Sequence, residues 1–138
     1  MPKPPVNFTI LLNQVNRLRN AVDGMEALPG IPKGALREAD DCPLARALSN
    51  GIKTTVDRGE VEFHYPFNST LKTLREAVKR IKAAGFVVLN EADIGDDWYS
   101  DADRAAGVPV QVKTTKTMNN FIMRFDNEDF EDLIQEGY

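Results

Sequence analysis

Two side chains in this sequence could, by type, serve as nucleophile and base: Cys42, in DDCPLARALSNG, and His64, in IKTTVDRGEVEFHY. A cysteine attacks as thiolate, which a helix N-terminus favours through its free backbone N–H groups and dipole. Asp40 and Asp41 oppose that shift, and a nucleophile also needs a base within reach. The only histidine falls in a segment whose apolar alternation sets it on the face opposite Phe63 and Tyr65. Cys42 is therefore expected to be a small buried cap residue, and an enzyme built on it is the third of three functional readings. One Cys and one His cannot fill a tetrahedral N/S zinc site within one chain. No phosphate-cradling glycine loop, G-x-S-x-G elbow or H-E-x-x-H occurs. No catalytic residue, cofactor or metal is expected.

Charge offers two further candidates. Glu91, Asp93, Asp96, Asp97, Asp101 and Asp103 stand without a basic residue among them and enclose Trp98-Tyr99. Hard cations need several oxygen ligands, but this spacing is not the D-x-D-x-D-G loop of a calcium site. Large aromatics framed by charge suit an interface anchor, so Asp93, Asp96, Asp97, Trp98, Tyr99, Asp101 and Asp103 are the expected partner-binding residues. The opposite sign gathers at Lys72, Arg75, Lys79, Arg80 and Lys82, on the outward face of a predicted helix. That face is the alternative, a nucleic-acid interface gripping phosphates, although no interleaved aromatics support base stacking. Lys plus Arg against Asp plus Glu is 13 to 9 over residues 1–90 and 4 to 12 over 91–138, within a net charge of −4. A field concentrated this way steers partners of opposite charge.

The elements that must position these residues follow from periodicity. Phe8, Leu11, Leu12, Val15, Leu18, Val22 and Met25 keep helical steps, predicting a helix near 8–23 capped by Asn7 or Thr9. Val6 to Leu12 also alternate as a strand would, but the longer period prevails. Gly24 and LPGIPKG then mark a loop, and residues 1–34 read as an arm loosely attached to the body. Pro43 suits a first helical position, since its missing N–H would have no partner there. A helix near 43–50 follows, with Cys42 as its cap. Residues 52–65 read as a hairpin turning at Asp57-Arg58-Gly59. A helix near 70–84 ends before Gly85. Strands are predicted near 86–90 and 108–114, and a helix near 117–135, or two helices broken near Asp126. The acidic stretch between reads as irregular, with one helical turn near its end. The fold class is α+β: a small, mainly antiparallel sheet with helices on one face.

At 138 residues, 42% apolar and 28% charged, the chain suits a single domain able to bury one core. It contains no internal repeat, no apolar run long enough to span a bilayer and no signal-peptide pattern. One cysteine makes no intramolecular disulfide, consistent with a reducing compartment, and the expected location is cytoplasmic.

CPLARAL, the hairpin after it and the later FIMRFDNEDF together resemble small uncharacterised proteins of actinobacteria and their phages. The resemblance rests on Cys42, Pro43, Leu44, Ala45, Ala47, Leu48, Phe121, Ile122, Phe125 and Asp126, and the match extends over about a third of the chain. It departs from that pattern in the N-terminal helix and in Leu71 to Asn90. The resemblance carries no activity; it implies a phage or prophage setting and, if phage-encoded, the host bacterial cytoplasm. The leading expectation is a non-enzymatic accessory protein that binds another macromolecule, most simply a host or phage protein, through an acidic C-terminal surface.

Overall fold

The computed structural model describes residues 6–49, 52–65, 71–94 and 109–135, without the side chains of residues 23, 71, 72 and 93. Lys53–Asp57 (β1) and Glu60–His64 (β2) pair antiparallel, Thr54 opposite Phe63 and Val56 opposite Val61. Between them Arg58 and Gly59 have φ of 52° and 80°. Two left-handed central residues make a type I′ turn, whose twist matches that of the flanking strands. β2 pairs antiparallel with Pro109–Lys113 (β3), giving a sheet in the order β1-β2-β3.

The strand expected near 86–90 shrinks to one antiparallel bridge, Val88 with Val112, flanked by Leu89 N to Gln111 O at 2.7 Å and Val87 O from Lys113 N at 2.9 Å. Asn90 ends it. Its side chain accepts from Gln111 N at 2.9 Å and donates to Pro109 O at 2.7 Å. A side-chain amide thereby takes over the bonds the next rung of backbone would have made.

Alternate residues of the sheet, Thr54, Val56, Val61, Phe63, Val110 and Val112, are buried. The other face, with Thr55, Glu62, His64 and Gln111, stays partly open, as an antiparallel sheet allows. Helices cover the buried face. Helix α1 is Phe8–Asp23; Asn7 caps it by accepting from Thr9 N and Ile10 N, and Gly24, at φ 64°, closes it by donating to Asn20 O at 2.8 Å. The helical reading of residues 8–12 holds over the strand reading, because Leu11, Val15 and Leu18 all reach the core with no exposed surface. Ala21 and Val22 of the same helix belong to that core as well. Asn16 also clips the following loop, accepting from Leu28 N at 2.8 Å and donating to Leu28 O at 3.1 Å.

Helix α2, Pro43–Leu48, stops two residues short of expectation, where Ser49 turns extended. Helix α3 is Leu71–Ala83, and Gly85 at φ 95° follows it. A single turn, α4, spans Glu91–Ile94, so the described helical turn lies at the start of the acidic stretch. The end of that stretch lies outside the described residues. Helix α5, Lys116–Asp126, is capped by Thr115, and after its break comes a 3₁₀ turn at Glu131–Leu133. This is the two-part reading of 117–135. Phe121 and Phe125, fully buried, stack beneath it, with Phe130 stacked on Phe121 at 5.5 Å. Among the described residues no helix is long and apolar enough to cross a membrane.

Candidate functional site

Cys42 is the N-cap of α2, with Sγ accepting from Ala45 N at 3.4 Å. Only 5% of the residue is exposed. Burial pushes its thiol above the ordinary range; the nearby Asp126 carboxylate adds to that, against weaker backbone hydrogen bonds that favour thiolate. His64 is on the open face of the sheet, its Nε2 3.5 Å from Glu62 Oε2, and makes no bond to Cys42. The dyad that would make a nucleophile is not assembled here.

What surrounds Cys42 is architecture. Gly34 lies so close that a Cβ would stand 2.4 Å from Pro43 N and 2.5 Å from the Cys42 carbonyl carbon. Gly34 pairs in parallel with Ile134, its N–H to Leu133 O at 2.9 Å and its O from Gln135 N at 3.0 Å. Arg46 seals the corner: its Nε donates to Asp41 Oδ1 at 2.6 Å, and its Nη1 to Lys33 O and Gln135 Oε1. Cys42 lines the inner side of a cleft of about 650 Å³ between the hairpin turn, α5 and the loop at 37–39. Its rim mixes signs, with Arg37, Arg58, Asp57 and Asp126. Arg37, at φ 57°, is held there by its N–H donating to Asp126 Oδ1 at 3.0 Å.

Of the predicted partner-binding residues, Asp93 lies in α4, while Asp96, Asp97, Trp98, Tyr99, Asp101 and Asp103 lie outside the described residues. Glu91 pairs with Lys82, whose Nζ is 2.9 Å from its Oε1. Among the described residues no group of three or more His, Cys, Asp or Glu side chains could hold a metal ion. A second acidic concentration is fully described. Glu128, Asp129, Glu131 and Asp132 are exposed on the turn after α5, beside Met123, itself 58% exposed. The only cation in that turn's helix end, Arg124, lies 5.1 Å over the Phe130 ring and donates to Asp129 Oδ2 at 3.3 Å. Its sequence signal is DNEDFED itself, five carboxylates in seven residues.

The basic cluster comes apart. Arg75, Lys79 and Lys82 follow one exposed flank of α3, with Lys82 taken by Glu91; the side chain of Lys72 lies outside the described residues. Arg80 turns to the other flank, donating Nε to Ala21 O at 2.8 Å. There it meets Arg17 of α1, whose Nη1 donates to Ala84 O at 3.3 Å and whose guanidinium is 5.8 Å from the Phe86 ring. Both arginines line a groove of about 1030 Å³ between α1 and α3, with Asn13 and Asn20 exposed along it. The sequence signal for this groove is the polar stripe Asn13, Arg17, Asn20, at helical steps, opposite the apolar one. No protein-family model, no curated protein and no solved structure matches this chain.

Proposed function

We propose that this protein acts without catalysis, by binding a basic protein through the acidic surface of its C-terminal part. The observation that supports this reading most is the turn after α5, where Glu128, Glu131 and Asp132 are exposed a few residues beyond the exposed Met123, and Arg124, the cation at that helix end, is already paired with Asp129. Flexible, polarisable Met side chains suit adaptable contact surfaces, and a cluster of one sign steers a partner of the other. Asp93, Asp96, Asp97, Trp98, Tyr99, Asp101 and Asp103 extend the proposed surface in sequence, Trp98 and Tyr99 as its aromatic anchors. The resemblance of the CPLARAL and FIMRFD stretches adds the setting: a phage or prophage product working in bacterial cytoplasm on a host or phage protein.

The test is a comparison of baits. Glu128, Glu131 and Asp132 are exposed, so replacing all three by lysine reverses the surface while leaving Arg124–Asp129 and the core in place. The unaltered protein should capture a basic protein from a bacterial lysate, and the purified partner should bind it with a rate that falls as salt rises. The reversed variant should lose the partner while keeping its unfolding midpoint. Equal capture by both baits would discard this surface as the recognition element.

A further inference from the structure

The groove between α1 and α3 has a chemistry that the acidic surface does not. It is lined by Arg17 and Arg80, by Asn13, Asn16, Asn20 and Gln14, and otherwise by small or apolar residues; among the described residues no carboxylate lines it. Both guanidiniums are already oriented. Arg80 is fixed through Nε to Ala21 O and Arg17 through Nη1 to Ala84 O and the Phe86 ring. Each of those bonds uses one of five N–H donors, and neither arginine meets a carboxylate among the described residues. Asn13 and Asn20, exposed, stand one on each side of Arg17 along α1, seven residues and so about 10 Å apart.

From this we infer that the α1–α3 groove binds a ligand carrying two or more phosphate groups. Oriented guanidinium forks match phosphate oxygens bidentately, and two of them in one groove favour an anion with more than one phosphate. The side-chain amides add donors without adding charge, and among the described residues no aromatic ring on which bases would stack lines the groove. Recognition would therefore run through phosphates rather than through bases. This is independent of the acidic surface, which lies on other elements and takes a partner of the opposite sign.

Isothermal titration of the whole chain with inorganic tripolyphosphate, and fluorescence anisotropy with a labelled oligothymidylate strand, distinguish the two sources of such a ligand. Binding of tripolyphosphate alone assigns the groove to a small polyphosphate; binding of both assigns it to a nucleic-acid backbone, with affinity falling steeply as salt rises. N13D/N20D puts carboxylates into the groove while leaving both interhelical arginine bonds, and should weaken either ligand about tenfold or more. R17K/R80K keeps the charge but removes the forks, and should weaken it less. Binding of neither probe at low salt, or equal binding by N13D/N20D with its fold intact, overturns the inference.

Discussion

Cys42 shows how a reactive residue type is turned to structural use. Its Sγ satisfies the Ala45 N–H, one of the donors every helix start leaves over, and the cost of ionising it is raised by burial. Cys42→Ala should destabilise the fold by about 1 kcal/mol through loss of the cap, and Cys42→Ser by less, because a hydroxyl still accepts. The direction of the thiol's shift also fixes a pH dependence. With the folded value raised, the unfolded chain ionises first, so the stabilisation is whole at neutral pH and is lost as the pH rises past the ordinary thiol value of about 8.5. Denaturation curves from pH 7 to 10 should therefore fall more steeply for the natural protein than for Cys42→Ser; parallel curves would mean that the thiol is not buried. The cap was legible in the sequence because it obeys a local rule, proline at the first helical position. The separation of Arg80 from its basic neighbours was not, since it depends on where the Ala21 carbonyl lies, and only the packing of α1 decides that.

At the scale of elements, sequence period and structure agree where one face is buried and part where a side chain intervenes. The hairpin and α1 follow their alternation and helical steps directly. The segment at 86–90 has the β-branched composition of a strand, but Asn90 occupies Gln111 N and Pro109 O, and pairing stops after one bridge. Such a side-chain substitution for backbone leaves no trace in hydrophobic periodicity. The parallel pairing of Gly34 with Ile134 was equally hidden, because two single residues far apart form no pattern. It has a sharp steric signature all the same. Gly34→Ala would drive a methyl group into the backbone of Cys42 and Pro43, at 2.5 and 2.4 Å, where no flexible side chain can yield. The expected loss is about 3 kcal/mol by chemical denaturation, the upper range for overpacking. Amide exchange at Gln135, whose N–H bonds Gly34 O, should quicken in the same variant. A neutral Gly34→Ala would show that the two segments are not held together.

For the molecule as a whole, the charge imbalance of the sequence becomes a division of surfaces: an amide-lined groove with two arginines between α1 and α3, and a carboxylate ridge after α5. If both proposed surfaces bind, such a division would let partners of opposite sign engage without competing for one site. The closure of Gly34 onto Leu133 and Gln135 bears on how the protein is made. A ribosome emits Gly34 roughly a hundred residues before its pairing partner, and contacts of such long sequence separation form late. Through that interval Gly34, packed against the backbone of Cys42 and Pro43, lacks its pairing partner. A nascent chain stalled before Glu131 should therefore let a thiol reagent reach Cys42, and one released after Gln135 should protect it. The newborn chain would carry its single thiol open to oxidants and mixed disulfides throughout synthesis, and completion of the fold would end that exposure.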